Sequence, residues 1–237
     1  MALLVNLIGI AILSVIAYWG ANTFFRARIS EALMENDRPY EKPSFDYATT
    51  LLVIGDSLAV GVGAARPEDS VAGRLAAYLD ATYVENRAHA GAGVADLVGQ
   101  IREAKLPQYD VILIQAGGND ILALHDAKKT AKELSAAFAA LPPARRIILL
   151  GSGNVGGATL FPPPLRPFHT MKSRAMNREF ARVAHGWHAL FVGLFEPFYK
   201  DPFLRNPYRY LSRDGLHPSS YGYGLWFDKL REALETA

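Results

Sequence analysis

From Thr50 onward, short aliphatic runs alternate with longer amphipathic stretches. Runs of this kind are typical of strands buried on both faces, and the stretches between them are typical of crossover helices. The predicted strands span residues 51–54, 82–86, 111–115, 146–150 and 190–193. The pattern therefore predicts one α/β domain over residues 50–237, built on a five-stranded parallel sheet.

Helices are predicted between these strands and after the last one. They span residues 71–80, 94–105, 127–141, 171–185 and 219–234. Three of them follow a residue whose side chain can accept hydrogen bonds from the free N–H groups of a first helical turn: Ser70, Asp126 and Thr170. Right-handed crossovers place such helices on both faces, which predicts a three-layer α/β/α sandwich with its ligand at the carboxyl ends of the strands.

The beginning of the chain has a different character, because residues 2–25 are 24 positions without a charged side chain. As a helix this segment would be about 36 Å long, against a hydrocarbon core of roughly 30 Å. Aromatic residues near its end, followed by Arg26 and Arg28, suit the headgroup region. We predict one transmembrane anchor over residues 1–25. A cleaved signal peptide is the alternative, although neither a basic start nor a small-residue cleavage site stands out.

Residues 26–49 are predicted to be a linker, because they are polar, contain two prolines and lack sustained periodicity. The two arginines at the start of this linker favour a cytoplasmic position for the domain after it, by the positive-inside rule.

Composition excludes several classes of function. The net charge is +2, with 25 basic and 23 acidic residues that do not gather into blocks, so no nucleic-acid partner is expected. The absence of cysteine excludes disulfides and thiolate catalysis. The histidines lack metal-ligand spacing, apart from His185 and His188 without an acidic third ligand. Neither a metal nor another cofactor is expected.

Polar side chains follow the predicted strands at the edge where a ligand should bind. Ser57 follows the first strand in the stretch "GDSL", Asn119 follows the third in "GGND", and Asp214 and His217 lie in "DGLHP" before the last helix. A serine hydroxyl becomes a good nucleophile when a histidine takes its proton, and a carboxylate can fix the tautomer of that histidine. The predicted roles are nucleophile for Ser57, proton carrier for His217 and orienting group for Asp214.

These three blocks, in this order over about residues 50–225, resemble those of the GDSL, or SGNH, hydrolase superfamily of serine esterases and lipases. The resemblance implies a flavodoxin-like fold and hydrolysis of carboxylic esters through an acyl-enzyme. It also implies an oxyanion hole formed by the backbone N–H groups of Ser57 and Gly91 and the side-chain amide of Asn119. Asp56 and Asp120 flank turns, and we interpret both as bracing nearby backbone.

Two other motifs compete with this interpretation. Residues 151–157, "GSGNVGG", match a dinucleotide-binding fingerprint, but four prolines follow where that fingerprint requires a helix. Residues 55–59 nearly match the nucleophile elbow of α/β-hydrolases, but Ala59 replaces the last glycine. Neither alternative explains the distant Asn119, Asp214 and His217.

The expected substrate is an ester, either a lipid, a small acyl ester or an acylated glycan. Two loops rich in aromatic residues and proline, residues 158–171 and 195–213, are predicted to wall the site. The same residues would serve an O-acyl transferase or a polysaccharide O-deacetylase, and a non-catalytic binding domain is the alternative of another class. Family precedent favours a periplasmic, single-pass anchored enzyme, against the positive-inside argument.

Overall fold

The computed structural model describes residues 1–236 of the 237-residue chain. Its centre is a parallel sheet with the strand order β2-β1-β3-β4-β5. The strands are β1 (Thr50–Gly55), β2 (Tyr83–Asn86), β3 (Tyr109–Gln115), β4 (Ala144–Leu150) and β5 (Leu190–Val192). The five-stranded parallel sheet predicted from the aliphatic runs is therefore confirmed.

Ten α-helices are assigned along the described residues. They are α1 (Ala2–Asn36), α2 (Ser57–Val60), α3 (Val71–Tyr78), α4 (Leu97–Arg102), α5 (Gly118–Leu122), α6 (Ala127–Ala140), α7 (Arg166–Gly186), α8 (Pro202–Arg205), α9 (Pro207–Tyr210) and α10 (Ser220–Thr236). Short 3-10 turns precede α3, α4 and α7, and another spans Val155–Gly157.

Hydrophobic side chains cover both faces of the sheet. Leu51 and Val53 of β1 pack into one cluster with side chains of α3 and α10. Leu52 and Ile54 point the other way, into a cluster with α4, α6 and α7. All six residues of β1 are buried, which explains its uninterrupted aliphatic sequence. The three-layer α/β/α sandwich is confirmed.

Two of the three predicted helix caps are confirmed. The Ser70 hydroxyl accepts a hydrogen bond from the N–H of Gly73 at the start of α3, and the Asp126 carboxylate accepts two at the start of α6. The prediction for Thr170 is wrong, because α7 already begins at Arg166. Pro167 is tolerated there because its missing N–H would have no partner in a first turn. Thr170 donates to the Asn154 side chain, 3.0 Å away.

The helix at the start of the chain is longer than the apolar segment. By length and composition α1 could cross a membrane, and it continues through residues 26–36, which were predicted to be linker. Leu33 is buried in the cluster beneath α10, and Ile29 and Met34 pack against the same cluster. This three-residue apolar stripe docks the end of α1 on the domain, and tertiary packing therefore extends the helix beyond the predicted boundary.

The buried carboxyl group of Asp201 caps α8 and carries a testable consequence for stability. Its Oδ1 accepts a hydrogen bond from the Phe203 N–H at 2.9 Å, and burial raises the pKa of Asp201 to about 6. Between the unfolded pKa of about 4 and this folded value, the folded chain holds more protons than the unfolded chain. The free energy of unfolding therefore falls as the pH rises through this window.

We predict that Asp201→Asn removes this contribution, because asparagine still caps a helix but carries no charge. From pH 4 to pH 7, the wild type should lose on the order of 2 kcal/mol relative to the variant, a shift of a few degrees in melting temperature. Melting temperatures of both proteins in detergent at several pH values measure the difference. Parallel pH profiles would contradict the assignment.

Candidate active site

The turn after β1 holds Ser57 in a fixed position at the start of α2. Gly55 has a φ of +150°, and a Cβ atom there would overlap the carbonyl oxygen of Gln115 on the neighbouring strand. The Asp56 carboxylate accepts hydrogen bonds from the N–H groups of Leu58, at 2.9 Å, and Gly118, at 3.1 Å. Asp56 thereby ties the end of β1 to the loop after β3, in agreement with a bracing role.

Ser57, His217 and Asp214 form one continuous chain of hydrogen bonds. The Ser57 hydroxyl lies 2.8 Å from Nε2 of His217, and Nδ1 of the same ring lies 2.6 Å from Oδ2 of Asp214. His217 is 4 % exposed and Asp214 is fully buried. The fold thus brings together three residues that belong to two distant segments of the sequence.

The Asp214 carboxylate is held in its charged form. Burial by itself would raise its pKa, but the hydrogen bond and charge of His217, together with the N–H groups of Leu216 and His217, hold the pKa below its usual range. A charged carboxylate here favours a proton on Nδ1 of His217, which leaves Nε2 free to accept the serine proton. The arrangement can therefore activate a hydroxyl for attack.

Asn119 lies in the first turn of α5, which contacts the loop after β2 that contains Gly91. The Asn119 amide nitrogen donates to the carbonyl oxygen of Ala92 at 2.9 Å, which links α5 to the loop that contains Gly91. Gly91 is exposed, has a φ of +86°, and a Cβ atom there would meet nothing within 4 Å. Ser57 and Asn119 line a cavity at this edge of the sheet, whereas Gly91 is not among its lining residues.

Asp120 of α5 holds this helix against the segment after β2. Its Oδ2 accepts a hydrogen bond from the N–H of Val94 at 3.0 Å, and its Oδ1 lies 3.0 Å from Nδ1 of His125. The side chain is 2 % exposed and is not among the residues that line the cavity beside Ser57.

The cavity has a volume of about 530 Å³ and opens beside Ser57 and His217. Its walls are largely apolar and include the side chains of Leu58, Leu194, Phe203, Leu211 and Trp226. Phe203 and Leu211 come from the aromatic loop predicted as a wall, whereas Tyr199 and Tyr208 of that loop are 72 % and 96 % exposed. The loop therefore contributes its aliphatic and phenyl groups to the cavity, while these two tyrosines face solvent.

Sequence reasoning missed several contributions to this cavity, among them the residues of α10 that include Trp226. Ser30 and Met34 come from α1, and Ser152 comes from the glycine-rich stretch after β4. That stretch continues into a 3-10 turn at Val155–Gly157 and not into an α-helix, in keeping with the rejection of a dinucleotide fingerprint. The only sequence signal for Ser30 and Met34 was their four-residue spacing, which places two residues on the same face of a helix.

Histidine and acidic side chains do not gather here as metal ligands would. Within residues 1–236, no three of them lie close enough together to share a metal ion.

Comparison with known proteins identifies a family for this chain. The sequence model of the GDSL-like lipase/acylhydrolase family matches residues 53–225, well over half of the chain. No curated protein matches the chain.

Solved structures share the fold at low sequence identity. Phospholipase A1 from Streptomyces albidoflavus NA297 superposes with a TM-score of 0.62 at 17% identity, covering 78% of this chain and 99% of its own. A lipolytic protein of the G-D-S-L family from Veillonella parvula DSM 2008 gives 0.61 at 18% identity, covering 78% and 97%. A two-domain esterase active on acetylated mannans gives 0.56 at 14% identity, covering 90% and 54%.

The matched residues run from β1 to the first turns of α10 and include both halves of the hydrogen-bonded chain at Ser57 and His217. The chain therefore belongs to the GDSL-like lipase/acylhydrolase family of ester-hydrolysing enzymes.

Proposed function

We propose that this protein is a serine esterase in which Ser57 is the nucleophile, His217 the general base and acid, and Asp214 the orienting carboxylate. The observation that carries the proposal is the unbroken hydrogen-bond chain from Ser57 through His217 to Asp214, at 2.8 and 2.6 Å. Its position at the carboxyl edge of the sheet, beside a cavity, supports the same assignment.

The reaction proceeds in two steps. The Ser57 oxygen attacks the ester carbonyl carbon while its proton moves to Nε2 of His217. The tetrahedral intermediate then collapses, the C–O bond to the alcohol breaks, and His217 returns the proton to the departing alcohol. Water attacks the resulting acyl-enzyme in the same manner, releasing the acid and restoring Ser57. Asp214 stays ionised throughout and stabilises the imidazolium.

The negative charge on the carbonyl oxygen is bound by the N–H groups of Ser57 and Gly91 and by the side-chain amide of Asn119. Among the described residues, neither backbone N–H has a hydrogen-bond acceptor, so both are free to donate to a substrate. The bond from Asn119 to Ala92 engages one amide hydrogen and leaves the second for the oxyanion. Donors held in this way cost no reorganisation when the charge develops.

The substrate is an ester with an aliphatic acyl group. Leu58, Phe203 and Leu211 line the cavity next to Ser57, and apolar walls favour an acyl chain over a sugar. Tyr199 and Tyr208, which could have stacked on the sugar rings of an acylated glycan, face solvent and do not line the cavity.

Residues 2–25 anchor the enzyme in a membrane, with the catalytic domain on the periplasmic side. The two arginines that argue for the cytoplasm have partners in the folded protein. Arg26 donates to Thr159, 3.1 Å away, and Arg28 pairs with Glu31 at 2.5 Å. Arg26 is weaker evidence for orientation than a free charge in a loop, because it has a tertiary partner, whereas Arg28 pairs only with a neighbour on the exposed face of its own helix.

The nucleophile is tested with a fluorophosphonate probe and short-chain nitrophenyl esters on the full chain in detergent. We expect wild-type labelling and turnover, and loss of both in Ser57→Ala and His217→Ala. Asp56→Asn, which keeps one side-chain oxygen to accept the N–H of Leu58 but loses the charge and the bond to Gly118, is the control for local disturbance and should still be labelled. Labelling that persists in Ser57→Ala excludes this assignment, and a folded wild type that neither labels nor turns over would indicate a binding domain.

The oxyanion role of Asn119 predicts a loss in kcat and not in KM. Asn119→Ala should lower kcat by about 100- to 1,000-fold, because the lost donor acts mainly on the transition state. Steady-state kinetics of the variant provide the measurement. A change confined to KM would assign Asn119 to substrate binding.

The orientation is tested by protease treatment of intact cells that express the full chain with a C-terminal epitope. We expect external protease to remove the epitope after the outer membrane is permeabilised and before the inner membrane is broken. Protection until lysis would place the domain in the cytoplasm, and an epitope in the soluble fraction would indicate a cleaved signal peptide.

A further inference from the structure

The last part of α1, from Thr23 onward, runs across the carboxyl edge of the sheet, where the proposed active site lies. At one end, Thr23 donates to the carbonyl oxygen of Leu160 and Arg26 donates to Thr159, both at 3.1 Å. At the other end, Asp37 accepts a hydrogen bond from the N–H of Gly63 at 2.7 Å. These contacts attach the helix to the loop after β4 on one side and to the loop after α2 on the other.

Both attachment points adjoin the segment that carries Asp214 and His217. A Cβ atom on Gly215 would overlap the guanidinium group of Arg26, so this arginine lies directly against the turn next to Asp214. A Cβ atom on Gly63 would lie 3.2 Å from the Cβ atom of His217. The end of α1 is therefore attached, on two sides, to residues that border Asp214 and His217.

Between these attachments, one face of α1 forms a wall of the cavity. Ser30 and Met34 both line it, and their spacing of four residues places them on the same side of the helix. Leu33, one position away from Met34, turns into the hydrophobic core and is 9 % exposed. The Leu33 contact holds the helix in place while the neighbouring methionine faces the cavity.

The cavity extends away from Ser57 and has room for an extended chain. It is lined by residues of α10 from Leu225 through Lys229 to Glu232, which span about 10 Å along the helix. The volume of about 530 Å³ falls within the range of small-molecule sites. Met34 is the largest side chain that α1 contributes, and an apolar thioether suits contact with an acyl chain.

We propose that residues 26–36 of α1, together with Asp37 at its end, are part of the substrate site and that Met34 is a specificity-determining residue, which limits the length of acyl chain that the cavity accepts. This inference rests on the proposed esterase function. It means that the anchor helix tethers the enzyme and also completes its binding site.

The test compares acyl-chain preference in Met34 variants of the full chain, reconstituted in lipid nanodiscs. The readout is the ratio of kcat/KM for nitrophenyl octanoate to kcat/KM for nitrophenyl acetate. Met34→Trp should lower this ratio at least tenfold, because the indole occupies the space of several methylene groups. Met34→Ala should shift the preference toward longer chains. Met171, 63 % exposed on α7 and absent from the cavity wall, provides the matched control: Met171→Trp should leave the ratio unchanged.

Binding without turnover provides the second measurement. In a Ser57→Ala background, calorimetric titration with octanoate should show at least tenfold weaker binding for Met34→Trp than for Met171→Trp. If Met34→Trp does not fold, the smaller change Met34→Phe is compared in the same way, with a correspondingly smaller loss.

These outcomes separate the two proposals. Ser57-dependent turnover with an octanoate-to-acetate ratio within twofold of wild type in the Met34 variants overturns the role of Met34 and leaves the esterase function intact. If octanoate binding depends on Met34 but the protein turns over no ester, the result supports the place of Met34 in the cavity wall and overturns the esterase function. Octanoate binding that is absent or insensitive to Met34 also overturns the role of Met34.

Discussion

The hydrogen bond between Ser57 and His217 joins two residues that are 160 positions apart in the sequence. Its length of 2.8 Å requires the end of β1 and the segment before α10 to meet at one point. The parallel sheet meets this requirement, because all its carboxyl ends lie along one edge and hydrophobic packing on both faces keeps the strands in register. Local hydrogen bonds are then enough to position the polar groups on the short loops at that edge.

Aspartates supply much of this bracing, and their environments separate their roles. Burial raises the pKa of Asp56 to about 6, and its carboxylate accepts hydrogen bonds from two backbone N–H groups. Asp214 is also buried, but the adjacent imidazole helps to hold its pKa below the usual range. A carboxylate that stays charged can stabilise a protonated histidine, whereas one supported by neutral donors serves mainly to hold two loops together. The same residue type thus braces one side of Ser57 and is suited to polarise His217 on the other.

The end of α1 links a membrane-spanning candidate to the chemistry of the domain. Helical rise places Ser30 and Met34 about 8 and 14 Å beyond Phe25, the last residue of the uncharged segment. If that segment spans a bilayer, the cavity lies within a few helical turns of the membrane surface. The contacts of Arg26 and Asp37 on either side of the site make the helix part of the domain and not a flexible tether. Such an arrangement suits a substrate whose acyl chain comes from the membrane.

The five strands could be predicted within about two residues at each end, because each is a short aliphatic run and such runs are typical of strands buried on both faces. The pairing of Ser57 with Asp214 and His217 could also be predicted, because the carboxyl ends of parallel strands lie along one edge of the sheet. The start of α7 and the extension of α1 could not be predicted, because a proline in a first turn and a stripe of three apolar residues are weak local signals. The sequence by itself thus determined the sheet and the identity of the polar residues at its edge. Only the tertiary structure decided that α1 crosses this edge and adds Ser30 and Met34 to the cavity, because that placement depends on packing between segments far apart in the chain.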